Sequence, residues 1–214
     1  MAEQPTVVVR GEATREVPPE QAVLTISAAA RDRDREAVPA QLAERTAAVR
    51  AVLAEFAEAI EKSETSHLSV YPDFKRRGER PVTYVGDVTT TVTVTDFAVL
   101  GELVLGLTAI EQVAVSGPWW RLRPGSKAGA EVRREAIADA LVRAHEYADA
   151  VGARIDRLVE IADEGIAAPR GFMAMAGASD GAPIELDPEM QTVQASVTLR
   201  ATITEPQALS RRTP

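Results

Sequence analysis

The chain has no cysteine and only two histidines, His67 and His145, in 214 residues. The first absence excludes disulfides, thiolate nucleophiles and cysteine-held metals, and it leaves the redox compartment open. The second confines imidazole chemistry to two positions. Long apolar runs are missing too: no segment approaches the ~18 residues of a membrane-spanning helix. Met1–Pro5 has neither the basic start nor the apolar stretch of a secretory leader. The expectation is a protein without membrane insertion, cytoplasmic as written, or periplasmic or secreted if a leader has been removed. Lysine is rare, 3 against 21 arginines, and the formal net charge of −8 opposes non-specific attraction to nucleic acid or anionic lipid. No nucleic-acid partner is expected. Gly125 to Gly129 places Ser126 and Lys127 before a helix, but the spacing G-x-x-x-x-G-K-[ST] of a phosphate loop is absent.

What is present is strand grammar. From Val88 to Thr95 every odd position is threonine, while Val88, Val92 and Val94 lie on the even side. Successive side chains of a strand point to opposite faces, so this segment has an apolar and a hydroxyl face. Val193, Ala195, Val197, Leu199, Ala201 and Ile203 alternate in the same way with polar residues near the other end. Thr6 to Val17 and Gln21 to Ala29 are two further β-rich stretches, broken at Pro18-Pro19, and a hairpin joins them most economically.

From about Glu36 the period changes. Val38, Leu42, Val49, Val52, Leu53, Phe56 and Ile60 share one side of a long amphipathic helix. His67 to Tyr71 alternates as a strand, Pro72 to Pro81 reads as a charged turn, and Val82 to Thr95 is a long strand. Asp96 is placed to cap a second helix with a Phe97, Leu100, Val104, Leu107 stripe, and Gln112 to Ser116 is another strand. Strand, helix, strand, strand, helix, strand is the order of a ferredoxin-like sheet with both helices on one face. A third helix runs from a Ser126 cap to Gly152, and Leu158 to Ala162 is a short strand. The predicted fold class is α+β with a mainly antiparallel sheet and three helices: a ferredoxin-like βαββαβ half over about 21–117 and a C-terminal α-β-β extension. Residues 165–188, without either period, read as a flexible loop and 207–214 as a disordered tail.

No catalytic constellation emerges. His145 and Asp149 have one-turn spacing on the third helix, yet two metal ligands need a third and none is identifiable. His67, Ser69 and Tyr71 share a strand face and are followed by Asp73, but they stand in a row rather than converge. Lys75, Arg76, Arg77 and Arg80 read as a solvated turn, with Asp73 and Glu79 beside them. The expectation is therefore no enzyme, no metal and no cofactor. Alternation turns Trp120 and Leu122 inward and leaves Trp119 and Arg121 outward, and an outward tryptophan is a natural anchor for a partner. Trp119 and Arg121, with Met173 and Met175, form the candidate interface or pocket.

Val9-Arg10-Gly11-Glu12-Ala13, Val17-Pro18-Pro19-Glu20-Gln21-Ala22, the stretch around Tyr84 before Val88 to Thr95, Val115-Ser116-Gly117-Pro118, Arg133 to Ala140, and Gln191-Thr192-Val193 occur in an order and spacing that resemble the SIMPL (DUF541) family. The resemblance spans about residues 6–203, and the organisation read from it is one SIMPL-like domain over 6–204. It implies a mixed α/β domain, often exported in bacteria, that self-associates without established enzymatic activity. It further implies links to envelope or stress physiology. The resulting expectation is a homo-oligomeric scaffold or interaction protein with no identified partner. The alternative is a small-ligand binding module whose pocket lies between the sheet and the 165–188 loop.

Overall fold

A computed structural model describes residues 4–74, 82–167 and 186–207. Among these residues the chain forms seven strands and three α-helices, and every strand pairing is antiparallel. The α+β expectation therefore holds. Two compact units divide the chain: one comprises Met1–Pro18, Arg123–Arg170 and Met190–Pro214, the other Pro19–Leu122 and Gly171–Glu189.

The second unit is the ferredoxin-like half. Its strands are β2 (Gln21–Asp32), β3 (Ile60–Asp73), β4 (Thr83–Val94) and β5 (Val113–Arg121), in the spatial order β3-β4-β2-β5. Helices α1 (Ala37–Glu55) and α2 (Leu100–Thr108) supply Val49, Leu53, Leu100, Leu103 and Leu107 to a core with Ala22, Leu24, Ile26, Val92 and Val94. A smaller cluster sets Val38 and Leu42 of α1 over Ala30 and Val88. At Gly86 a β-carbon would lie 2.7 Å from Leu42 Cδ1 and 2.7 Å from Val38 Cγ1. Glycine there lets α1 settle onto β4. Asp96 caps the 3₁₀ turn Phe97–Val99 by accepting from the Ala98 N–H.

The other unit is a three-stranded sheet in the order β1-β7-β6, from β1 (Thr6–Val17), β7 (Gln191–Ile203) and β6 (Ile155–Ala167). Helix α3 (Lys127–Ala150) packs on it. Ser126 caps α3 by accepting from the Ala128 N–H, and Gly152 follows its end with φ +68°. The buried stripe of α3 is Val132, Ala136, Ala140, Ala144 and Ala148, small side chains that let the helix lie close to the sheet. At Gly11 of β1 a β-carbon would stand 2.1 Å from the Ala136 carbonyl oxygen.

Several boundaries differ from those read in the sequence. The β1–β2 hairpin does not form: β1 pairs with β7 throughout, from Thr6 opposite Thr202 to Val17 opposite Gln191. Both edges of β2 are taken by β4 and β5. The extension is thus completed by the N-terminal strand. Helix α1 ends at Glu55, and Ile60 opens β3 instead of closing the helix. Strands β3, β5 and β6 all run longer than the alternating segments that signalled them. Most of the expected 165–188 loop and nearly all of the expected tail lie outside the described residues, as do Lys75, Arg76, Arg77 and Arg80.

Candidate functional site

A sheet edge offers unpaired N–H and C=O groups, and proteins usually blunt it with bulges, charges or a covering element. Among the described residues all four edges carry such a device, but on one of them it covers only part of the strand. Along β1, Asp139 of α3 accepts the Glu12 N–H at 3.0 Å, and Arg15 is ion-paired with Glu131 at 2.6 Å and with Glu135. The pairing of β5 with β2 shifts register between Val23 and Thr25, beside Gly117 and the cis peptide to Pro118. Strand β6 shifts register at three places along β7.

The fourth edge, β3, is different. Its register with β4 is irregular at Ile60/Lys62 and at Thr65/His67, then regular from His67 to Asp73. The hydrogen bonds of the neighbours fix which residues face outward. Ala29 donates its N–H to the Gln112 carbonyl at 2.9 Å, on the β5 side. Polar groups alternate in direction along an antiparallel strand, so the odd residues of β2 turn toward β5 and the even ones toward β4. Carried through the pairing, Val85 and Asp87 of β4 bond to Tyr71 and Ser69 of β3. Leu68, Val70 and Pro72 therefore turn their backbone groups away from the sheet. Proline, which has no N–H to offer a ladder, sits at one of these outward positions.

The side chains of this edge are open as well. Leu68 is 65% exposed, Val70 41% and Tyr71 52%. Their pairing with Val88, Gly86 and Val85 places Leu68 and Val70 on the helix-covered side of the sheet, just beyond the helices, and Tyr71 on the other. Phe74 and Val82 at the adjoining hairpin are also exposed.

The family model for SIMPL, described as a protein of unknown function (DUF541), matches residues 7–201. The chain belongs to the SIMPL family. No curated protein matches it. Among solved structures, an uncharacterized protein from Thermotoga maritima shares 21% identity, over 46% of this chain and 95% of that one, with a TM-score of 0.24. An uncharacterized conserved protein from Listeria innocua shares 11% identity over 90% of this chain and 92% of that one, with a TM-score of 0.26.

The residues singled out in this SIMPL chain fall into separate places. Trp120 opposes Ala22 and meets Phe97 edge-on, with ring centroids 4.9 Å apart. Trp119 opposes Val23 on the other face, half-buried, with its indole beside Gly117. Arg121 is exposed on the same face, and its Nη2 lies 3.4 Å from Thr93 Oγ1. Met173 and Met175 lie outside the described residues. A depression of about 600 Å³ runs along α3, lined by Asp139, Val142, Arg143, Glu146, Tyr147 and Ala150.

The imidazoles belong to different units. His67 stands opposite Thr89, in line with Ser69 opposite Asp87. His145 Nδ1 lies 2.7 Å from the Leu141 carbonyl of the preceding turn, to which its N–H donates. Among the described residues no three His, Asp or Glu side chains are grouped to hold a metal, and no helix is long and apolar enough to cross a membrane.

Three carboxyl groups are held below the usual range, each by hydrogen bonds to the ionised form. For Asp139 the leading cause is the Glu12 N–H, with Arg143 assisting. For Glu164 it is the Thr198 hydroxyl, followed by the Arg10 charge and the Ser196 hydroxyl. For Asp32 it is the Asp34 N–H, aided by the Gln41 amide. Asp139 fastens α3 to β1, Glu164 fastens β6 to β7, and Asp32 holds the turn after β2 and the start of α1. The open run of β3, whose outward backbone groups no alternation count revealed, is the feature that sequence reasoning missed.

Proposed function

We propose that the protein is a non-catalytic interaction module that works by associating with further copies of itself, in the envelope or stress physiology that the family resemblance implies. One observation carries this reading. Among the described residues of the four-stranded unit, five of the six exposed large apolar side chains belong to β3 or its hairpin: Leu68, Val70, Tyr71, Phe74 and Val82, with Leu105 the sixth. Scattered surface apolar residues are ordinary, whereas a group gathered on one strand marks a contact surface. Sedimentation or light scattering over a concentration series should give a mass above 22.9 kDa that rises to a fixed multiple. A mass of one chain at every concentration would refute the reading.

A further inference from the structure

The geometry points to a specific partner and register for the open edge: β3 of a second copy, antiparallel, about a twofold axis through Ser69. This rests on the self-association reading and adds to it the surface and the alignment. The outward backbone groups of β3 are the N–H and C=O of Leu68 and Val70 and the lone C=O of Pro72. Two such edges can exchange complete pairs of hydrogen bonds only where outward residues oppose outward residues.

The twofold alignments that satisfy that condition differ in what they oppose, and an axis at Tyr71 sets Val70 against Pro72 twice, so that each pair lacks the proline N–H. With the axis at Val70, Leu68 faces Pro72 of the other copy, and the missing proline N–H removes one bond of the pair. With the axis at Leu68, Val70 faces Ser66, at the irregularity between Thr65 and His67, and the apolar side chain opposes a hydroxyl. With the axis at Ser69, Leu68 faces Val70 twice, giving four backbone bonds and apolar pairs at both positions. His67 then faces Tyr71 twice on the opposite side of the sheet. Cross-strand pairs of this kind are the unit of sheet stabilisation.

Charge favours the same seam. The chain carries a formal net charge of −8, yet His67, Leu68, Ser69, Val70 and Tyr71 carry none with histidine neutral. No like charges are opposed within the seam. The remaining repulsion between two acidic chains is screened by salt, so association should strengthen as ionic strength rises. The product is a continuous eight-stranded sheet in the order β5-β2-β4-β3-β3-β4-β2-β5, built by adding one four-stranded sheet to another.

Because the protein has no cysteine, a single introduced thiol gives an unambiguous readout. In the Ser69-centred register the two Ser69 residues form a non-hydrogen-bonded pair with Cα atoms about 4.5 Å apart, within disulfide range. Ser69→Cys should convert almost wholly to a covalent dimer under mild oxidation. Glu64→Cys, exposed on the same strand but far from its own copy in this register, should not. Val70→Lys should weaken association at least tenfold by sedimentation, while circular dichroism confirms that the variant folds. If wild type associates but Ser69→Cys does not cross-link, cross-links no better than Glu64→Cys, or Val70→Lys leaves association unchanged, the β3 seam is overturned and self-association stands. A wild-type mass of one chain throughout overturns both.

Discussion

Gly11→Ala is the smallest change with a large expected effect. The added β-carbon would stand 2.1 Å from the Ala136 carbonyl oxygen, 2.5 Å from the Ala140 nitrogen and 2.6 Å from the Ala140 β-carbon. Two of these atoms are helix backbone, so no rotamer change relieves the clash. To reach ordinary contact, α3 must lift from β1 by more than about 1 Å, a gap that forfeits on the order of half the dispersion attraction between the facing atoms. The facing atoms are those of the alanine stripe, where Ala136, Ala140, Ala144 and Ala148 are all within 1% of complete burial. Overpacking typically costs ~1–3 kcal/mol, and restricting the unfolded chain returns ~0.4–1 kcal/mol. A net loss of about 2 kcal/mol is expected. With a urea slope of ~1–3 kcal/mol/M, that lowers the midpoint by about 1 M. Both tryptophans lie in β5 of the other unit, so emission does not follow this one directly. Far-UV circular dichroism and amide exchange along α3 are the proper readouts. Gly106→Ala is the control: its β-carbon would meet only the tip of Val52, at 3.2 Å, and helix propensity offsets the crowding. A midpoint for Gly11→Ala equal to that of wild type would refute the close-packing argument.

Asp139→Asn should destabilise the protein at neutral pH, because the carboxylate that accepts the Glu12 N–H has its folded pKa lowered. A group with a depressed folded pKa contributes stability that is present above its unfolded value of ~3.9 and lost as pH falls through the folded value. The midpoint gap between wild type and variant should therefore be constant near pH 7 and close as pH falls from the unfolded value through the lower folded one; a gap unchanged in acid would exclude the charge as its source. Trp120→Ala should cost about 3 kcal/mol, the low end for a large aromatic because the indole is only half-buried against Phe97. Trp119→Ala should cost roughly 1 kcal/mol. Urea unfolding of both variants followed by circular dichroism decides between them, and equal losses would contradict the assignment of Trp120 to the core.

The ferredoxin-like half was readable because its signals are local. The threonine alternation of β4, the Asp96 cap and the two apolar helix stripes each report an element through neighbours a few residues apart. The first part of β3 was not readable, since Glu61-Lys62-Ser63-Glu64-Thr65-Ser66 is polar at every position, as suits an edge strand exposed on both faces. The partner of β1 was hidden for another reason: adjacency to β2 favours a hairpin, and nothing in Thr6–Val17 names a strand at the far end of the sequence. Gly11 was the only trace of α3 lying against it. The edge site was half legible. Alternation gives the face of Leu68 and Val70, but whether a helix covers that face depends on where α1 lies on the sheet.

The pairing of β1 with β7 has a consequence for the order of synthesis. Val17 and Gln191 oppose each other in the register, roughly 170 residues apart, and at ~5–20 residues per second β7 is translated about 10–35 s after β1. The four strands of the ferredoxin-like half, all between Gln21 and Arg121, are complete well before then. During that interval β1 has no ladder partner, and for the larger part of it the carboxylates and small residues of α3 that later fasten it are themselves still to be made. A strand made before the whole ferredoxin-like half is completed only after it.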